Sequence, residues 1–132
     1  MTCQRAEGAV HEAAVRYLNA CVMRDAEYIA ANSATDGTFT GTTSGCSPPQ
    51  NLEEIVSHLR GLKKAGWSQL DPTGYMAGDF AWFTDHAKGV LPNGQEIGIR
   101  ATLLMRRIAR QWKVVHFHVS EGVDRDGIEL GS

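Results

Sequence analysis

The stretch from residue 67 to residue 122 constrains the fold most, because it holds four successive segments that all read as strands. "WSQLDPTGYMAG", "DFAWFTDHAKGV", "QEIGIRATLLMRRI" and "QWKVVHFHVSEG" are rich in aromatic and β-branched residues. Between the second and third, "LPNGQ" has Pro, Asn and Gly in the order used by a tight hairpin turn. A chain of this kind builds consecutive antiparallel strands. "VVHFHV" and "ATLLM" are apolar at odd and even positions alike, so both faces of the sheet should be covered.

The residues before this run supply helices. From Gly8 to Arg24, the residues Val10, Ala14, Tyr17, Leu18 and Cys21 recur at helical spacing and predict an amphipathic helix with Tyr17 on its buried side. A short helix should follow Asp25 as N-cap, and "DGTFTGTTSG" reads as a strand entering a loop. In "NLEEIVSHLRGLKKAG", Asn51 and Glu54 have the spacing of a capping box. Leu52, Ile55, Val56, Leu59 and Leu62 form the stripe there, Lys63 and Lys64 the last turn, and Gly66 the stop.

With 132 residues, one domain with one core is expected, ordered over about 7–123 with a loose polar tail at 124–132. Thirteen basic and fifteen acidic residues are dispersed, which argues against a nucleic-acid partner. Cys3, Cys21 and Cys46 are odd in number and far apart, so neither a disulfide framework nor a zinc knuckle is suggested. Without a signal-like start or a membrane-length apolar run, a cytoplasmic protein is expected.

Helices followed by a sheet ending in Trp112, His116, His118 and Ser120, with Arg100 and Thr102 on the preceding strand, resemble the SnoaL-like branch of the nuclear transport factor 2-like superfamily. The resemblance implies an α+β fold: a cone-shaped, curved antiparallel sheet with N-terminal helices on its concave face, a pocket at the open end, and commonly a dimer through the sheet. It does not imply one activity, since members include isomerases, cyclases, dehydratases and assembly modules. "VHFH" before Ser120 also resembles the end of the calcium/calmodulin-dependent kinase II association domain. That resemblance implies that Val115, Phe117 and Val119 point into the pocket and the histidines outward.

Extending the register from there places Arg100, Thr102 and Leu104 in the cavity, opposite Val119, Phe117 and Val115. A turn at Asn93 and Gly94 pairs Asp85 with Thr102 and makes Asp85 and Arg100 diagonal neighbours, though a slip of one residue inverts this. Such a pair is either a structural ion pair or a general base beside an anion-binding cation. Arg16, Tyr17 and Asp25 resemble the first helix of ketosteroid isomerases, where the Tyr donates to a developing oxyanion. The position of that family's base falls around Gly41, with no carboxylate beside it, and a Tyr on a buried stripe also serves as packing.

The remaining expected walls are Phe39, Phe83 and Trp67, with Arg106 near the rim, and they suit a hydrophobic small molecule carrying one polar group. No cofactor is called for. His116 and His118 could bind a metal only with His86 as a distant third ligand; the preferred role is in a homodimer interface with Trp82, Leu103, Met105 and Val114. Two readings follow. One is a small-molecule pocket, catalytic or not, with Asp85, Arg100 and Tyr17 as its polar groups. The other is a non-catalytic dimerisation or assembly module.

Overall fold

The computed structural model describes residues 2–43, 48–62, 67–90 and 94–122, with the side chains of 67–69 and 121–122 outside the description. Cys46, Lys63, Lys64, Gly66, the turn residues Pro92 and Asn93, the side chain of Trp67 and the tail from Asp124 therefore lie outside the described residues. The elements run β1 (Gln4–Arg5), α1 (Ala9–Met23), α2 (Ala26–Ala31), β2 (Thr40–Thr43), α3 (Leu52–Arg60), β3 (Trp67–Gln69), β4 (Thr73–Ala77), β5 (Phe80–Val90), β6 (Glu96–Ile108) and β7 (Gln111–Gly122).

The helices form where local chemistry directs them. Val10, Ala14, Tyr17, Leu18 and Cys21 bury one face of α1. Asp25 caps α2 by accepting from the Tyr28 N–H at 3.2 Å. At α3 the capping box closes in both directions, Asn51 accepting from the Glu54 N–H at 2.8 Å and the Glu54 carboxylate from the Asn51 N–H at 3.1 Å. That helix ends at Gly61, earlier than the Lys63–Gly66 signals suggest.

The strands join one mixed, curved sheet in the order β1-β4-β5-β6-β7-β2, with β3 also on β5. Neighbours are antiparallel except β2, which runs parallel to β7. On the face under the helices, Ala81, Phe83, Ala101, Leu103, Met105, Val114 and Phe117 pack with α1 and Ile29, Phe39, Ile55 and Leu59 into the core.

The register differs from expectation at two places. Val90 pairs with Glu96, so residues 91–95 connect β5 to β6, an odd number where a two-residue turn at Asn93 and Gly94 was expected. Asp85 therefore faces Ala101 instead of Thr102. Between β6 and β7 the turn is a two-residue one, Ala109 and Arg110 at φ 50° and 67°, and near it the pairing Met105–Val114 follows the expected register. A bulge at Val115 then shifts the pairing, so that Leu103 meets Phe117 and Thr102 meets His118.

These one-residue shifts exchange the faces of β6 and cancel between β5 and β7. Asp85, Phe83, Phe117 and Val119 keep to the inner side, where Phe83 and Phe117 are fully buried and Val119 packs against the core. Arg100, Thr102 and Leu104 do not line the concave face, because they share the outer face with His86, His118 and His116, their direct partners. Leu103, Met105 and Val114 cannot form an outer interface, because they are buried at 0%, 1% and 0% exposure. Val115, the bulged residue, is buried but stands outside the central cluster.

Candidate functional site

A proline breaks the sheet at the site. β3 and β4 read as one strand along the edge of β5, since Trp67 and Thr73 are six positions apart, as are their partners Val90 and Thr84. The ladder nevertheless skips Leu70, Asp71 and Pro72, opposite Asp85, His86 and Ala87. Pro72 has no N–H to donate, which disfavours continuous pairing there. Side chains satisfy groups that the ladder leaves. The Asp85 carboxylate accepts from the Asp71 N–H at 2.9 Å, and His11 Nε2 donates to the Pro72 carbonyl at 3.0 Å.

Beside this gap is a cavity of about 670 Å³ between α1 and β5. Val15, Arg16 and Asn19 border it from the helix; Leu70, Asp71, Asp85, His86, Ala87 and Lys88 border it from the strands. His11, Val15 and Asn19 follow one another at four-residue spacing and so lie along one strip of α1. His11 anchors that strip to the strand segment, lying 3.8 Å from the Asp71 carboxylate and tilted against Phe83 with ring centroids 6.3 Å apart.

Asp85 is the half-buried acid of the group. Burial raises its pKa above the ordinary carboxylate value; the N–H groups of Asp71 and His86 pull it down, and the charge of Asp71 adds to the rise. A carboxylate so placed is a stronger base than an exposed one, and its protonated form is more readily held.

Arg100 is not its partner. It lies on the other face of the sheet, so the expected Asp85–Arg100 pair does not form, and the basic residue that borders the cavity from α1 is Arg16. Tyr17 is also removed from the cavity. It is 1% exposed, its ring meets Phe117 edge-on at 5.9 Å, and its hydroxyl lies 2.7 Å from Ser33 Oγ. Because Ser33 gives its own proton to the Ile29 carbonyl at 2.6 Å, Tyr17 is the donor to Ser33. Burial pushes its pKa well up, so the hydroxyl stays protonated.

Phe39 packs against Phe117 and borders a second cavity, of about 690 Å³, alongside Val56 and Arg60. At Gly41, where the ketosteroid isomerase comparison looks for a base, a Cβ would lie 2.7 Å from the Phe117 ring, so a carboxylate has no room. Arg106 is engaged with Asp36. His116 Nδ1 lies 2.9 Å from Thr40 Oγ1 on the outer face, and His86 is level with Arg100 and Ser120, not with His118. Among the described residues no three His, Cys, Asp or Glu side chains are grouped to hold a metal ion.

His11 and Asp71 did not emerge from sequence reasoning. The available signals were Asp71-Pro72 inside a strand pattern and His11 four residues before Val15 on the helix.

Helices packed on one face of a curved mixed sheet, with a cavity between the first helix and the sheet, define the nuclear transport factor 2-like class. Within it, the SnoaL-like domain model matches residues 10–124, and the chain belongs to that family. No curated protein matches it in sequence. Solved structures share the fold. A candidate ketosteroid isomerase from Parabacteroides distasonis superposes with a TM-score of 0.71 at 20% identity, over 86% of this chain and 88% of the other. A nuclear transport factor 2-like superfamily protein from Salmonella enterica gives 0.68 at 20%, over 93% and 94%. A candidate calcium/calmodulin-dependent protein kinase type II association domain from Thiobacillus denitrificans gives 0.67 at 18%, over 84% and 93%. At these identities the likeness is one of fold. Among the described residues no helix is long and apolar enough to cross a membrane.

Proposed function

We propose that the protein binds a small molecule in the cavity between α1 and β5, and that Asp85 moves a proton on it, in the manner of an isomerase- or dehydratase-type reaction. The observation that carries this reading is the Asp85 carboxylate itself. It is half-buried beside a cavity, poised by one backbone N–H at 2.9 Å, and raised in pKa by burial. Leu70, Val15 and Ala87 give the apolar walls against which an organic body can rest. The site differs from that of a ketosteroid isomerase, because Tyr17 gives its proton to Ser33 and Gly41 leaves no room for a base.

Solvent exchange tests it. Ketones, 2-oxoacids and 3-oxoesters incubated with the protein in D₂O are followed by proton NMR for loss of the C–H signal next to the carbonyl. The wild-type protein should accelerate exchange for at least one class, and Asp85→Asn should reduce that acceleration by about 10²-fold or more. Equal rates in the two proteins would remove Asp85 from the chemistry.

A second reading concerns the outer face. Tyr75, Phe80 and Trp82 are 44%, 45% and 37% exposed, with Leu104 and His116 beside Trp82 across the strands. Such a patch suits a homodimer through the sheet, built on Trp82, His116 and His118 together with these aromatics. Sedimentation velocity should then give a dimer that Trp82→Glu converts to a monomer. A wild-type monomer at 100 μM or so would sink it, since stable homodimers hold far below that concentration.

A further inference from the structure

The segment Leu70–Pro72 is left out of the ladder, yet it delivers a hydrogen bond to the acid at the cavity, the Asp71 N–H donating to the Asp85 carboxylate at 2.9 Å. A second hydrogen bond reaches the same segment from α1. His11, 61 positions before Pro72, donates from Nε2 to the Pro72 carbonyl at 3.0 Å, while its ring leans on Phe83, which shares the inner face of β5 with Asp85. The link between these two hydrogen bonds is stiff. A proline ring holds its own φ at about −65°, and the residue before a proline is confined to extended conformations, so the Asp71 N–H and the Pro72 carbonyl do not turn freely against each other.

We propose that His11 is a positioning residue for Asp85: by holding the Pro72 carbonyl from α1, it keeps the Asp71 N–H on the Asp85 carboxylate at the border of the cavity. This rests on the reading of Asp85 as the group that moves a proton, and adds the residue that fixes its hydrogen bonding from another element. The bond matters because it favours the ionised form of the acid. Burial pushes the Asp85 pKa up, and the N–H groups of Asp71 and His86 pull it back. A loosened segment would release the first of these donors and leave Asp85 to bind its proton more tightly. The other charged groups near Asp85 are the Asp71 carboxylate, 3.8 Å from His11, and Arg16 on α1, whereas His86 and Lys88 alternate to the other face of β5.

The test follows the carboxyl carbon of Asp85 by NMR in ¹³C-labelled wild type, His11→Ala and His11→Gln, titrated over about pH 3–8. His11→Ala should move the Asp85 midpoint to higher pH. His11→Gln separates hydrogen bonding from charge, because a glutamine keeps a donor at similar reach but is never a cation, and it should bring the midpoint back to that of wild type. The pH profile of solvent exchange by the protein should move in the same direction in His11→Ala. An Asp85 midpoint that His11→Ala leaves in place would overturn the proposal. So would equal displacement in the alanine and glutamine variants, since the charge beside Asp71 would then be the cause. Equal exchange in wild type and Asp85→Asn would end the proton-transfer reading, and the carboxyl titration would still decide the role of His11.

Discussion

The face of the sheet that meets the helices has two unlike regions. Toward β7 and β2, aromatic rings close it: Phe117 takes Tyr17 and Phe39 each at 5.9 Å, and Gly41 is bare because Phe117 fills the space a side chain would need. Toward β5, the strand beside it detaches at Leu70–Pro72, and a cavity with acids and bases at its border replaces the packed rings. One surface thus divides a closed, packed region from an open one bordered by charged groups. Polar hydroxyls in the closed region are spent on each other, as in Tyr17, Ser33 and Ile29, whereas polar groups in the open region can meet a ligand.

The sharpest way to break this contrast is Phe117→Ala, which should cost about 3–5 kcal/mol in urea unfolding, as for other large-to-small core changes. A loss below 1 kcal/mol would show that the closed region is loosely packed. Next, Tyr17→Phe removes one buried hydrogen bond and should cost about 1 kcal/mol while leaving solvent exchange at the cavity unchanged. A large fall in exchange with intact folding would return Tyr17 to the site. His11→Ala, in the open region, should cost about 1 kcal/mol or less by freeing the Pro72 carbonyl. It should also speed amide hydrogen exchange at Asp71; unchanged protection there would remove His11 as the anchor of that segment.

The smallest effects concern pH and have opposite signs in two acids. Asp36, in the loop leading to Phe39, is held at about 2 by the Thr38 hydroxyl, with Arg106 adding to the effect. Its contribution to stability is present above the ordinary value of 3.8 and is lost as pH falls toward about 2. Asp85 has the reverse sense. Its pKa is raised in the fold by burial, so the folded state binds more protons just above the ordinary carboxylate range, and stability declines as pH rises through that window. Thermal melts should therefore show Asp85→Asn more stable than wild type at pH 7 and equal to it once Asp85 is protonated. Asp36→Asn should be less stable at pH 7, the difference closing near pH 2. Identical profiles for either variant and wild type would remove that acid from the contrast.

Much of the fold was legible in the chain because it is written locally. The stripe of α1, the cap at Asp25 and the capping box of Asn51 and Glu54 each depend on residues within a few positions of one another. The outward histidines followed from the resemblance of the last strand. The site was less legible. Asp85 stood out as a charge in an apolar strand, but its partner was assigned by register, and register depends on single residues. An odd connection at 91–95 and a bulge at Val115 carried Arg100, Thr102 and Leu104 outward and Leu103 and Met105 inward. Neither carries a marker as plain as a helix cap, and side chains alternate so strictly that one extra residue exchanges a whole face.

What the sequence by itself determined was therefore the order of elements, the helix faces and the family to which the chain belongs, since these rest on periodicity, caps and a short strand signature. The tertiary structure alone decided which polar groups share a space. His11, Arg16, Asp71 and Asp85 are up to 74 positions apart and meet around one cavity only because α1 lies across β5 where Pro72 interrupts the ladder. Contacts made over such separations depend on how strands pair and where pairing fails, which no local pattern encodes.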